Sequence, residues 1–243
     1  VAVIEGISRT TNDHQSTTPG MEICARGLEK VFDDGLVRAL DGLDLQIAPG
    51  EQTAITGPTG CGKSTLLSLL ALLERPDAGE LLLDGQPASM IAPAEAWRAR
   101  NVGIVFQFHH LLPYLTAEEN VLLPLIGLGV GRGEARGQAR AMLEAVGLAH
   151  RARFVVTKLS GGERQLTAVA RALVGRPRMV LADEPTGSVD SRTGERILSL
   201  LLDSEITGGA TIVLVTHDMA VADRAGRRCA MLDGRMIATG EGS

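Results

Sequence analysis

The segment Gly57-Pro58-Thr59-Gly60-Cys61-Gly62-Lys63-Ser64-Thr65 concentrates residue types that can hold an anion. An apolar run, Thr53 to Thr56, leads into it and Leu66 to Leu73 follows, an order that predicts strand, glycine-rich turn and helix. Gly57, Gly62, Lys63 and Ser64 stand at the fixed positions of G-x-x-x-x-G-K-[ST]. Glycines let the backbone curl so that successive N–H groups converge on one anion. The following helix adds its unpaired N-terminal N–H groups and the positive end of its dipole. Lys63 can reach β- and γ-phosphates as a point charge, Ser64 offers a hydroxyl to Mg²⁺, and Thr65 can reach a neighbouring phosphate oxygen. A glycine-rich turn capping a core helix shares part of this pattern, but the strand and helix on its two sides favour a nucleoside triphosphate.

Two further groups fit that chemistry. Asp183 ends the apolar run Met179 to Ala182, and ligands of open α/β sheets bind at the carboxyl ends of the strands. An acid there, in a chain with a phosphate loop, is placed to hold Mg²⁺ through water. Glu184, pointing the other way in an extended chain, is placed as general base for an attacking water. Ser160, Gly161 and Gly162 put a hydroxyl and two unhindered N–H groups at the start of a helix, a second anion site. An ordinary N-cap would look the same in isolation.

The elements that must position these residues alternate between two periods. Ile23–Phe32, Val37–Leu40, Leu43–Ile47 and Glu80–Leu83 read as strands, with Asp84-Gly85 a hairpin turn. Pro93 to Arg100 reads as a short helix and Asn101 to Phe106 as a buried strand. Thr116-Ala117-Glu118-Glu119 has capping-box spacing, and residues 134–146 carry an apolar helical face ending at Gly147. Helices are expected again from Leu159 to Val174 and from Ser191 to Ile206, with buried strands at 179–182 and 211–215 and a hairpin around Asp233-Gly234. The predicted fold class is α/β: a P-loop NTPase with a mainly parallel core sheet, an N-terminal antiparallel β subdomain and an inserted α-helical subdomain at residues 93–177. Residues 1–20, rich in Ser and Thr, read as a disordered extension rather than a signal peptide, with Met21 a candidate start and residues 21–240 one domain.

Bulk properties narrow the role. The 243 residues are 44% hydrophobic but only 2% aromatic, so the core is aliphatic. A net charge of −5 argues against a partner held by phosphate neutralisation, so no nucleic acid is expected. The cysteines, Cys24, Cys61 and Cys229, are odd in number and widely spaced, which fits a reducing compartment. The longest apolar stretch, Val121 to Val130, is broken by Pro124, Gly127 and Gly129, so any membrane crossing belongs to another polypeptide. His109-His110 reads as a surface pair, because adjacent side chains diverge too far to share a metal.

Gly57–Thr65, Gln107, Leu159–Gln165, Met179–Glu184, Ser188-Val189-Asp190 and His217 occur in the order found in ATP-binding subunits of ABC transporters. The chain resembles that family over residues 21–240. Gly35–Gly42 and Leu111–Thr116 make it most similar to the branch serving macrolide export, lipoprotein release and the cell-division permease complex. The resemblance implies ATP and Mg²⁺ as ligands and an ABC ATPase fold. It implies that Phe32 stacks on adenine, that Gln107 touches Mg²⁺ or the attacking water, and that His217 holds the γ-phosphate and orients Glu184. Ser160 and Gly162 would bind ATP held by a second copy of the chain, with Asp190 at that interface, in a head-to-tail dimer at the cytoplasmic face of the membrane. A separate integral membrane permease would dock at Phe108–Leu115. Leu166 departs from the family, which places Arg there, and Ser188-Val189 replaces the usual Asn-Leu; both bear on the hydrolysis rate. Two rivals stay open at this stage: a soluble ABC protein, and an ATPase that works a cell-wall enzyme through its membrane partner with nothing transported.

Overall fold

A computed structural model describes residues 20–237 of the chain. In chain order the strands and helices are β1 (Ile23–Phe32), β2 (Val37–Ile47), β3 (Gln52–Thr56), α1 (Lys63–Leu70), β4 (Ala78–Leu83), β5 (Gln86–Pro87), α2 (Ala94–Asn101) and β6 (Val102–Val105). They continue with α3 (Ala117–Gly127), α4 (Arg132–Ala145), α5 (Gly161–Leu173), β7 (Met179–Asp183), α6 (Ser191–Leu202), α7 (Ser204–Thr207), β8 (Thr211–Thr216), α8 (Met219–Ala222), β9 (Arg227–Leu232) and β10 (Arg235–Ile237).

The strands form two sheets. One is antiparallel, in the order β2-β1-β4-β5; the other runs β10-β9-β3-β8-β7-β6 and is parallel except for the β9–β10 hairpin. The apolar runs of the large sheet are continuous because both of its faces are covered. Ala54, Val180, Ala182, Ile212 and Leu214 point into a core shared with α3, α4, α5 and α6. Their neighbours Ile55, Met179, Leu181, Val213 and Val215 point into a second core shared with α1 and the antiparallel sheet. Leu143 and Leu173 in the first core, and Leu66 and Leu69 in the second, are fully buried. Truncating any of them to Ala should cost ~2–5 kcal/mol.

Several sequence expectations change. The strands expected at 37–40 and 43–47 are one strand, β2. Leu28 faces Leu43 while Glu29 faces Asp41, so Gly42, at φ +70°, is the extra residue of a bulge. The helix expected from Ser191 to Ile206 breaks at Asp203, which turns extended and accepts from the backbone N–H groups of Glu205 and Ile206 to start α7. The short helix α8 was not expected. Inside the segment read as a helical insertion, β6 pairs in register with β7 as the edge of the large sheet, so the helical layer itself runs from α3 to α5. The proposed extension lies outside the described residues apart from Gly20. That residue is buried, and its carbonyl accepts from Arg178 at 2.6 Å.

Candidate active site

All of the phosphate-loop and acidic residues leave the same edge of the large sheet. Thr56, the last residue of β3, is in register with Thr216 of β8, and Asp183 of β7 with Val215. The strand ends therefore deliver the loop 57–65, the pair Asp183-Glu184, His217 and, from β6, Gln107 to one rim.

Within the loop the fixed glycines have distinct reasons. A Cβ on Gly57 would fall 2.2 Å from the Met231 carbonyl oxygen, and one on Gly62 2.2 Å from that of Ala39. Gly62 is also left-handed at φ +103°, where it caps α1 without a side chain. Gly60, at φ +83°, has open space around it, so its requirement is conformational. Gly234 donates its N–H to the Cys61 carbonyl at 3.0 Å, so the β9–β10 turn backs the loop. Lys63 is 8% exposed, and its Nζ donates to the carbonyls of Gly57 and Pro58, both at 2.8 Å. That holds the ammonium inside the curl. Ser64 faces solvent at the first turn of α1.

The Ser64 hydroxyl and the Asp183 carboxyl are neighbours across the loop and the end of β7. Burial pushes the Asp183 carboxyl above its ordinary pKa, and the Glu184 charge adds to this, while the nearby Ser64 hydroxyl and the Lys63 charge oppose it. A hydroxyl and a carboxylate in need of a counter-charge are the hard oxygen donors that suit Mg²⁺. The loop's converging amides and the Lys63 ammonium suit a polyphosphate.

Glu184 does not continue the extended chain, as the sequence reading assumed. At φ +44° it is left-handed, which turns it toward β8. One carboxylate oxygen accepts from the His217 backbone N–H at 2.9 Å and lies 2.7 Å from His217 Nδ1. The other accepts from the Thr216 hydroxyl at 3.1 Å. The side chain is thus fixed at three points beside Asp183.

Ser160–Gly162 and Asp190 form a second cluster. Ser160 caps α5 in a reciprocal capping box with Glu163, whose carboxylate is held in turn by Arg151 at 2.6 Å. Gly162 packs on Thr193, where a Cβ would come within 2.9 Å of a methyl group. Thr193 donates its N–H and hydroxyl to Asp190 at 3.0 and 2.8 Å, and these bonds hold that carboxyl below its usual pKa. The two clusters sit on different neighbours: α1 packs on β2, β7 and β8, whereas α5 packs on α3, α4, α6 and β6. Gly161 lies near the Ser188 carbonyl, and Leu166 is buried in the first core, so its apolar side chain serves packing.

Phe32 is 37% exposed at the end of β1 and has Lys30 Nζ 5.3 Å from its ring centre. It pairs with Val37, two residues before the Ala39 that touches Gly62. Gln107 is exposed just past β6.

Two residues were missed by sequence reasoning. Thr216 anchors Glu184. Gln165, fully buried, donates to the Pro185 carbonyl at 2.9 Å and approaches that of Phe106 at 3.5 Å, tying α5 to the Glu184 turn. Its signal was a polar residue at the edge of an apolar helical stripe. His109 also differs from the surface pair expected: its ring is partly buried, with the backbone of Gly161 against it.

The sequence profile of the ABC transporter family matches residues 40–187. This chain belongs to the ABC transporter family. It is 46% identical over 217 residues to lipoprotein-releasing system ATP-binding protein LolD 1 of Caulobacter vibrioides, covering 87% of this chain and 93% of the relative. LolD 2 of Rhodospirillum rubrum is 47% identical, covering 88% and 94%. A dimeric structure of the ATP-binding cassette MJ0796 in a post-hydrolysis state, bound to ADP and Pi, superposes with a TM-score of 0.82 at 36% identity, covering 88% of this chain and 96% of that one. The ABC chain described here is accordingly an ATP-binding and ATP-hydrolysing subunit of a transporter complex, with the fold that its sequence motifs implied.

Proposed function

We propose that this subunit hydrolyses ATP with Glu184 as general base, in a head-to-tail dimer that drives a separate membrane permease of the lipoprotein-releasing kind. The observation that carries the catalytic part is the three-point fixation of Glu184 beside Asp183, Lys63 and Ser64. A carboxylate held this way is aimed before substrate arrives, and aim is most of what phosphoryl transfer asks of a protein. Lys63 and the amides of Gly57–Thr65 hold the phosphates, Phe32 stacks on the base, and His217 contacts the γ-phosphate while it orients Glu184. Ser64 and Asp183 would hold Mg²⁺, with Gln107 in reach; the ion would supply charge against the β- and γ-phosphate oxygens.

Ser160, Gly161 and Gly162 complete the site of a second copy, with Asp190 at the interface. The two-cluster geometry supports this, since one chain presents two anion sites on separate supports. Phe108 and Tyr114 are 74% and 91% exposed, and Leu112 49%, which supports Phe108–Leu115 as the permease contact. A groove lined by Ile104, Phe106, His110, Pro124 and Arg171 adjoins it. A permease partner would hold the subunit peripherally at the cytoplasmic face of the membrane; among the described residues no helix is long and apolar enough to cross one. Serving lipoprotein release is carried by the relatives' names and the shared length.

The test is Glu184→Gln. It should keep ATP binding, lose turnover by ~10²–10⁴-fold and accumulate an ATP-bound dimer in size-exclusion chromatography. Turnover near the wild-type rate would move the base elsewhere.

A further inference from the structure

The chain turns sharply at His109 and His110, whose φ values of +62° and +46° lie in the left-handed region. Two successive residues with side chains persist there only where their surroundings fix them. One side chain takes both of their carbonyls: Arg171 donates from Nη2 to His109 O at 2.8 Å and from Nη1 to His110 O at 2.5 Å. Among the described residues no carboxylate pairs with Arg171. A planar fork with two donor arms can hold two neighbouring carbonyls in a set geometry, which a compact ammonium cannot. Meanwhile the His109 ring turns toward the other end of the same helix, against the Gly161 backbone, with Nε2 buried and without a hydrogen-bond partner. Gln165, between those ends, approaches the Phe106 carbonyl. The segment 106–110 is therefore tied to α5 by hydrogen bonds at Gln165 and Arg171, while the His109 ring lies near the helix start.

We infer that Arg171 is a positioning residue: its fork sets the backbone of the docking segment against α5 and so couples that segment to Ser160–Gly162 at the opposite end of the helix. This rests on the proposal that Phe108–Leu115 receives the permease and Ser160–Gly162 a phosphate.

Amide hydrogen exchange on the full chain without nucleotide tests the coupling. In Arg171→Met, exchange should rise by about tenfold both at residues 107–112 and at Glu163–Gln165, with α1 and β7 at wild-type rates. Arg171→Lys, which keeps the charge but lacks the fork, should show the same two-site pattern. His109→Ala, which removes the ring near the helix start but leaves the Arg171 fork in place, should loosen the two segments less than either Arg171 variant. A rise confined to residues 107–112 would overturn the inference, because the helix start would then be indifferent to the fork. A uniform rise over the whole chain in Arg171→Met and Arg171→Lys alike would also overturn it and leave Arg171 a packing residue. None of these readings needs ATP, so they stand apart from the sandwich dimer, which Glu184→Gln tests separately.

Discussion

Asp183 shows how a single carboxyl can work against the fold that holds it. Burial and the adjacent Glu184 charge raise its pKa. A carboxyl raised on folding contributes stability that is complete below its unfolded pKa and is lost as pH climbs through its folded value. Above that value the protein without metal carries an ionised, partly desolvated acid. We therefore expect Asp183→Asn to raise the melting temperature of the nucleotide-free protein at neutral pH, with the gain shrinking as pH falls toward the ordinary carboxylate range. The same variant should lose Mg²⁺-dependent ATP hydrolysis. Thermal melts across pH, run beside ATPase assays, check both halves; a variant less stable than wild type at neutral pH would contradict the assignment. At this scale the sequence was most informative where chemistry depends on residue type and spacing. Gly57, Gly62, Lys63 and Ser64 need no tertiary information to be recognised, and the structure gives Gly57 and Gly62 a steric reason that the pattern only implied. Glu184 was found for the right neighbourhood but with the wrong backbone, since a left-handed φ at a non-glycine residue leaves no mark in a sequence.

Elements depend on a few buried polar residues that the sequence barely signals. Asn120, fully buried on α3, accepts from the Leu112 N–H at 2.7 Å and donates to the carbonyls of Leu112 and Thr116 at 3.2 and 3.0 Å. It holds the shape of the segment that carries Tyr114. Asn120→Ala would strand those groups, so we expect a loss of ~1–3 kcal/mol in urea denaturation. Tyr114→Ala, at an exposed position, should leave the melt unchanged. Nothing in the spacing of Asn120 sets it apart from the polar residues around it; only the loop folding back over α3 gives it a role. The capping boxes at Thr116 and Ser160 are the opposite case: both are legible as S/T-x-x-E, and both are formed, with each Glu side chain returning to the cap's N–H. Breaks and mergers of elements were less legible. Gly42 could end a strand or bulge it, and Asp203 could sit in a helix or cap the next, and in each case the partner strand or the packed core decides.

The whole molecule is two cores on either face of one large sheet, with the chemistry along one rim and the exposed aromatics Phe108 and Tyr114 beside the helical layer. If Phe108–Leu115 receives the permease, Tyr114→Ala or Leu112→Ala should weaken permease binding by ~2 kcal/mol or more. A pull-down with the co-purifying permease measures this, and full binding by a folded double mutant would reject the docking surface. Basal ATPase of the isolated subunit should not change. Architecture at this scale was readable because strands and helices alternate in sequence; that the chain's last described hairpin backs its first functional loop was not. Met231 and Gly234 press against Gly57, Gly62 and Cys61, and β9 is the neighbour of β3. Timing follows from that contact. A ribosome makes the phosphate loop early and every recognisable motif through His217 before it makes the wall the loop leans on. A nascent or prematurely stopped chain ending at Gly226 would carry all of the motifs and still bind ATP poorly, and a fluorescent nucleotide titration of that truncation against the full chain would show it. The last motif residue, His217, therefore comes before the wall that makes the motifs usable, and competence to bind nucleotide waits for β9 and the turn at Gly234.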